Sequence, residues 1–243
     1  MKMLFFSRRN AKEILRDPLT VAFSLGFPVV LLLLLSAIQA NVPVNLFRLE
    51  SLTPGITVFG LAFMALFSAT LIAKDRESAF LQRLYTTPLK APDFIFGYVL
   101  PLVPISMAQC AVCYLVTMAM GLKPSISMIW AVLSVAAVSL MFIGLGLLCG
   151  SVLNVKQVGG ICGALLTNLT AWLSGVWFDL KLVGGAFEKA AYALPFVHAV
   201  EMERALLAGD VAGILPHLWW VTGYTALILA LAVLCFLRQM KKQ

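Results

Sequence analysis

Long runs of apolar residues without a single charge divide the chain into six segments. The charge-free runs are Pro18–Phe47, Ser51–Ala73, Phe94–Leu122, Pro124–Val155, Gln157–Phe178 and Val211–Leu237. Each reaches the roughly 20 residues that a helix needs to cross about 30 Å of hydrocarbon. The runs are apolar on all sides, and lipid offers no partner to a free backbone N–H, so helices are favoured over a barrel. The pattern predicts an all-α integral membrane protein with six transmembrane helices.

The stretch before the first run has a different pattern, in which apolar and charged residues recur with helical spacing. Within residues 1–17, Leu4, Ala11 and Leu15 share one face with Ile14 beside them, and charged residues occupy the opposite face. This pattern is typical of an amphipathic helix that lies in the membrane interface. We expect Pro18 to end it, because the residue before a proline is disfavoured in the α region.

Residues 74–93 form the most informative segment between two runs. They begin with the charges Lys74-Asp75-Arg76-Glu77 and continue as a short amphipathic helix that ends at Pro88. The apolar face of this helix consists of Phe80, Leu81 and Leu84. The segment is expected either to bind a partner or to lie on the membrane surface.

Residues 179–215, before the last run, also differ from an ordinary loop. The pattern predicts two short helices interrupted at Pro195, of which the second ends at Gly209. Glu201 and Arg204 are spaced i,i+3 for an ion pair on that helix. We expect an outer re-entrant hairpin.

The distribution of Lys and Arg gives the orientation of the six predicted spans. With the N-terminus inside, the cytoplasmic segments hold thirteen of these residues: Lys2, Arg8, Arg9, Lys12, Arg16, Lys74, Arg76, Arg83, Lys90, Lys156, Arg238, Lys241 and Lys242. The outer segments hold five: Arg48, Lys123, Lys181, Lys189 and Arg204. Because Lys and Arg concentrate on the cytoplasmic side, both ends are predicted to be cytoplasmic (N-in/C-in). The net charge of +7 is then explained by topology and by anionic membrane lipid, so no nucleic acid is expected as a partner.

Catalytic and metal-binding patterns are missing from the sequence. Only 12% of the residues are charged, about half of the share of roughly 25% in soluble domains. No phosphate loop of the form G-x-x-x-x-G-K-[ST], no H-E-x-x-H and no G-x-S-x-G occurs. The five cysteines lie in apolar runs, where they are expected to pack as small apolar groups. We predict no catalytic residue, no cofactor and no metal site on this chain.

Uncharged residues within the runs suggest where a molecule could pass. The runs lack the charges of a proton or ion relay. Phe63 and Phe67 are i,i+4 neighbours in the second run, and Thr167 and Asn168 lie at comparable depth in the fifth. These four residues are expected to line a pathway for a hydrophobic or amphipathic substrate. Packing between helices remains the alternative for each of them.

Three stretches, taken in order around the six runs, resemble one known family. Lys74-Asp75-Arg76-Glu77 with Leu81-Gln82-Arg83-Leu84-Tyr85-Thr86-Thr87-Pro88-Leu89 resembles its cytoplasmic motif. Leu194-Pro195, followed by Glu201, Arg204, Ala205 and Gly209, resembles its outer re-entrant hairpin, and Arg16-Asp17-Pro18 fits its connecting helix. The family is the permease (transmembrane) subunit of type-2 ATP-binding cassette (ABC) exporters. The resemblance covers the whole chain, residues 1–243, as a single transmembrane domain.

The resemblance implies a division of labour between subunits. Two permease chains, as a homodimer or a heterodimer of homologous chains, would form the pathway in the cell's inner (cytoplasmic) membrane. Separate nucleotide-binding ATPase subunits would bind ATP and Mg and hydrolyse the ATP, so this chain would not itself be an enzyme. The exported substrate would be a drug, a lipid or a polymer. The residues implied in coupling to the ATPase are Glu77, Phe80, Leu81, Arg83, Leu84 and Pro88, and those implied in the outer hairpin are Pro195, Glu201 and Arg204.

Two other classes of function remain open. A membrane-embedded lipid-modifying enzyme would need a polar cluster at one leaflet, and His198, Glu201 and Glu203 are the candidates for it. A channel or an assembly subunit would need no ATPase partner. Export is the expected direction, and a type-2 permease that imports is also compatible with the sequence.

Overall fold

The structure is a computed structural model that describes residues 2–43, 45–78, 80 and 91–240. In this part of the chain all regular structure is helical. The helices, in chain order, are α1 (Lys2–Arg16), α2 (Ala22–Asn41, preceded by a helical turn at Pro18–Val21), α3 (Leu49–Glu77), α4 (Ala91–Ala119), α5 (Ile126–Val152), α6 (155–173), α7 (Leu180–Val183), α8 (Gly185–Tyr192), α9 (Pro195–Ala208) and α10 (Val211–Met240).

Five of the described helices are long and apolar enough to cross a membrane, namely α2, α3, α4, α5 and α10. The fifth predicted run, Gln157–Phe178, forms α6, which is not among them. Its polar residues Lys156, Gln157 and Asn168 reduce its apolar character. It consists of 4 α-helical, 8 π-helical and 7 α-helical residues in succession. The membrane class of the fold agrees with the sequence, while the count of six spans and the orientation stay predictions.

The centre of the bundle is α3. Of its most apolar 18 residues, 83% are buried within the chain, whereas the corresponding share is 22% in α2 and in α10. Two glycines let α5 approach it closely: a Cβ at Gly146 would collide with the carbonyl oxygen of Ala65, and one at Gly150 would lie 2.6 Å from that of Ala69. This small-residue pair therefore serves packing within the chain.

The first helix, α1, packs along α4 through a face that the sequence pattern did not predict. Phe6, Asn10 and Ile14 are buried at i, i+4 and i+8. Leu4 and Leu15 of the predicted apolar face are 59% and 64% exposed, so this face does not pack on the bundle, and its contact with the membrane interface stays a prediction. The packed face was not predicted because polar Asn10 lies in its middle, where its Nδ2 donates to the carbonyl of Gly97 at 3.0 Å.

On the predicted outer side, α8 and α9 are separated by two residues before Pro195, which occupies the first turn of α9. Gly209 ends α9 in the left-handed conformation, with φ 73°. From there α9 packs against α10, α3 and α5. The outer segment is thus fixed to the centre of the bundle.

Candidate functional site

An aromatic groove of about 510 Å³ opens between α2, α3 and α6. Ring centroids within it lie close together, at 5.3 Å for Phe27 and Phe63 and 5.7 Å for Phe59 and Trp177. The side chains that line it are Phe23, Phe27, Phe59, Phe63, Gly163, Thr167, Asn168, Ala171, Trp172 and Trp177. Edge-to-face aromatic contacts stabilise such a cluster without filling it.

Three of the four predicted pathway residues meet in this groove, namely Phe63, Thr167 and Asn168. Phe67 lies beside it, with its ring stacked on that of Phe63 at 6.4 Å. The Thr167 hydroxyl donates to the carbonyl of Cys162 at 3.1 Å, and the Asn168 amide donates to that of Ala164 at 2.8 Å. The Thr167 proton and one N–H of Asn168 are thus used within α6, and the rest of the lining is mainly apolar.

A second cavity, of about 490 Å³, has Arg204 of α9 in its wall. The guanidinium donates to the Glu201 carboxylate at 2.8 Å, to the carbonyl of Ser51 at 3.2 Å and to that of Gly175 at 3.0 Å. Arg204 thereby joins α9 to the start of α3 and to the loop after α6. Trp177 lines both this cavity and the aromatic groove, so the two are neighbours.

At the opposite end of α3, Asp75 is almost fully buried, at 2% exposure. Arg9 of α1 donates to its two oxygens at 2.7 and 2.8 Å, and the hydroxyl of Tyr98 on α4 donates at 2.9 Å. Burial alone would lower the pKa of Arg9, but the hydrogen bond and the charge of Asp75 raise it above its usual value. Asp75 therefore holds α1, α3 and α4 together.

The next two residues bind the connection between α5 and α6. Arg76 donates to the backbone carbonyls of Ser151 and Leu153, where α5 ends, and Glu77 accepts the N–H of Val155, where α6 begins, at 2.9 Å. The last carbonyls and first N–H groups of a helix lack partners within it. A cation at the first end and an anion at the second also complement the helix dipoles.

Comparison with known proteins decides the class. The family model described as ABC-2 type transporter matches residues 2–208. The chain belongs to the ABC-2 type transporter family. A curated relative, the putative transport permease ycf38 of Porphyra purpurea, is 31% identical over 118 residues. That match spans 46% of this chain and 40% of the relative's length.

Family membership confirms the resemblance that the sequence suggested. The chain is a multi-pass membrane protein of this transporter family. Within the described residues no three His, Cys, Asp or Glu side chains are grouped to hold a metal ion.

The coupling residues expected of an ABC-2 permease are only partly described. Glu77 binds Val155 as above, and the guanidinium carbon of Arg9 lies 4.4 Å from the ring centroid of Phe80, a cation–π distance. Leu81, Arg83, Leu84 and Pro88 lie outside the described residues. Sequence reasoning missed the Arg9–Asp75 pair, because no local spacing connects residues 66 positions apart.

The three outer residues considered for a lipid-modifying site have separate partners. His198 Nδ1 lies 2.9 Å from His217 Nδ1, and Glu201 pairs with Arg204. Glu203 is fully buried; Ser134 donates to it, and its Oε2 has no partner in the described part of the chain. Burial raises the pKa of the Glu203 carboxyl to about 8. Because the Glu203 carboxyl is buried and His198 and Glu201 each have another partner, these three residues do not form a catalytic site open to lipid.

Proposed function

We propose that the chain is the permease subunit of an ATP-driven exporter of hydrophobic or amphipathic substrates. The aromatic groove carries the proposal. Phe59, Phe63 and Trp177 offer contact area to the apolar part of a substrate, and the neighbouring cavity offers polar groups at Arg204 and Glu201. A path from an apolar to a polar chamber suits an amphipathic molecule, which must leave lipid and enter water.

We place the permease in the inner (cytoplasmic) membrane, with six spans and both ends cytoplasmic. The helical course of α6 and the bias of thirteen against five basic residues support this topology. Single cysteines at Arg83 and Lys242 should react with an impermeant maleimide only from the cytoplasm, and one at Lys189 only from outside. Labelling of Arg83 from outside would refute the topology.

A second permease chain, identical or homologous, is proposed to close the groove. The surface of α6 beside it is open: a Cβ at Gly159 or Gly160 would meet no atom within 4 Å, and Leu165 and Trp172 are 56% and 54% exposed. Such a surface of small and large apolar residues suits helix association in a membrane. The substrate would then be held between the two copies.

Residues 75–90 are proposed to couple this pathway to a separate ATPase subunit, which binds ATP and Mg. The supporting observation is that Asp75 and Phe80, within the segment, and Tyr98, after it, all belong to the contact network of Arg9 and Asp75. A displacement of the segment would therefore reach α1, α3 and α4 together.

The double substitution Leu81→Asp with Leu84→Asp tests the coupling. Either the ATPase should no longer copurify with the permease or transport should be lost, while the permease still inserts and folds. A retained complex with full transport would show that the segment lies only on the membrane surface.

The pathway is tested by Phe63→Leu and Asn168→Ala. Leucine is chosen over alanine at position 63 because the Phe63 side chain is only 8% exposed. Alanine there would cost about 3–5 kcal/mol of stability, whereas leucine keeps an apolar side chain. Both variants should change substrate-stimulated ATPase activity and substrate preference. Trp130→Ala, at a 60% exposed position of α5 outside the groove, is the control. Unchanged specificity in the groove variants would refute the placement.

A further inference from the structure

A basic groove of about 880 Å³ lies between α1 and the end of α3. Five cations line it, namely Arg8, Arg9, Lys12, Arg16 and Lys74. The other lining residues are Phe5, Glu13, Asp17 and Pro18. The groove carries more positive than negative charge, which makes it a candidate for binding an anion.

The two acids of the basic groove are already engaged. Glu13 pairs with Arg9 at 2.7 Å, and Asp17 accepts the N–H of Leu19 at 3.2 Å. Arg9 also binds buried Asp75. By contrast, the salt bridges within the described residues include none from the exposed cations Arg8, Lys12, Arg16 and Lys74. These four charges are available to a ligand.

The basic groove continues into an apolar crevice of about 210 Å³ along α3. The two share Glu13, Asp17 and Lys74, and the crevice is lined further by Ile14, Leu66, Phe67, Thr70 and Leu71. The Thr70 hydroxyl donates to the carbonyl of Leu66 at 2.8 Å, so it offers no free proton to the crevice. A cationic entrance thus leads to a narrow apolar slot.

We propose that the basic groove and the crevice together bind one anionic phospholipid. The phosphate would lie among Lys12, Arg16 and Lys74, and an acyl chain would lie along Leu66 to Leu71. A soluble protein partner would match the charges but would leave the slot unfilled, whereas a lipid has both parts. Phe5, which lines the groove, and Leu15 of the same helix are 71% and 64% exposed, and this apolar surface would face hydrocarbon beside the bound lipid. The site does not depend on the proposed transport function.

The test uses the purified permease in a neutral detergent without any ATPase. Dioleoylphosphatidylglycerol and dioleoylphosphatidylcholine are titrated separately, and bound lipid is counted by native mass spectrometry. The wild type should retain one phosphatidylglycerol in preference to phosphatidylcholine. In Lys12→Gln/Arg16→Gln/Lys74→Gln the affinity for phosphatidylglycerol should fall at least about tenfold. The matched control Arg48→Gln/Lys181→Gln/Lys189→Gln, which neutralises three exposed cations elsewhere, should bind like wild type.

A second variant distinguishes binding of a lipid, with an acyl chain in the crevice, from binding of an anion by charge alone. Thr70→Phe keeps every cation and fills the slot, so it should weaken phosphatidylglycerol binding while leaving binding of soluble glycerol phosphate unchanged. If the triple variant does not fold, Lys74→Gln alone and Thr70→Phe still give the comparison. Equal loss in the control variant would mean diffuse surface attraction and overturn the proposal. Copurification of the ATPase from membranes is measured separately. A triple variant that has lost this copurification but still binds lipid fully would make the groove a partner interface, which would also overturn the proposal.

Discussion

Removal of Arg9 should destabilise the protein more than its position near the chain end suggests. Its guanidinium holds both oxygens of Asp75, whose side chain is 3% exposed. In Arg9→Gln the carboxylate would keep the hydrogen bond from Tyr98 and lose its charge partner. A buried charge without a counter-charge is the costly outcome, rather than the loss of the attraction itself.

The magnitude follows from burial on the two sides of the pair. Breaking a fully buried ion pair from one side costs about 3–5 kcal/mol. The Arg9 side chain is 36% exposed, so water can replace part of it, and we expect about 2–3 kcal/mol. For a chain of this size that corresponds to a fall in Tm of about 4–12 °C. Glu13→Gln, which removes an exposed i,i+4 partner of the same arginine, should cost only about 0.3–0.5 kcal/mol.

The assay is thermal unfolding in detergent, followed by the fluorescence of the five tryptophans. Arg9→Gln, Asp75→Asn and the double variant form a double-mutant cycle. The loss of stability in the double variant should be smaller, by about 1–2 kcal/mol, than the sum of the losses in the two single variants. Additive losses would refute the pairing. So would a Glu13→Gln variant that is as unstable as Arg9→Gln.

Three further predictions concern packing and pH. Gly146→Ala should lower Tm or prevent folding, because its Cβ would meet the backbone of Ala65, whereas Gly159→Ala should be neutral. Burial raises the pKa of Glu203 from 4.5 to about 8; stability should therefore be full below pH 4.5 and fall as pH rises through 8, and Glu203→Gln should remove that fall in Tm. Burial also lowers the pKa of His198 from 6.5, so stability should decline as pH drops below 6.5, and His198→Gln should flatten this acid limb of the Tm profile.

The parts of the fold that depend on local pattern were predictable from the sequence. The length of the apolar runs alone identified those that became α2, α3, α4, α5 and α10, because the thickness of the hydrocarbon layer sets the length of a spanning helix. The geometry of α6 was not predictable, since a π-helix and an α-helix share the same apolar residues. The buried face of α1 was also missed. Asn10 on this face is polar and is buried through a hydrogen bond to another helix, so the spacing of apolar residues does not predict it.

The candidate site divides in the same way. Phe63, Thr167 and Asn168 were predicted together because they lie at similar depth in two runs, and the groove contains all three. Phe27 and Trp177 were not predicted, since their approach depends on how α2 and the loop after α6 pack. From the sequence, Asp75 was only one of the four charges that begin residues 74–93, and the tertiary structure shows that it is buried.

The π-helical stretch Gly159–Leu166 has a consequence for how the pathway can change by mutation. A π-helix holds more residues in each turn than an α-helix, and each residue of an α-helix advances about 100° around the axis. Deletion of a single residue from 159–166 could restore an α-helix, but it would change the angle between the two ends of α6. Thr167 and Asn168 would then turn away from their present positions together with Ala171 and Trp172, although none of these groove side chains was replaced. The number of residues in this stretch therefore sets which atoms face the groove, and if the groove is the proposed pathway, selectivity should change abruptly with length and gradually with substitution.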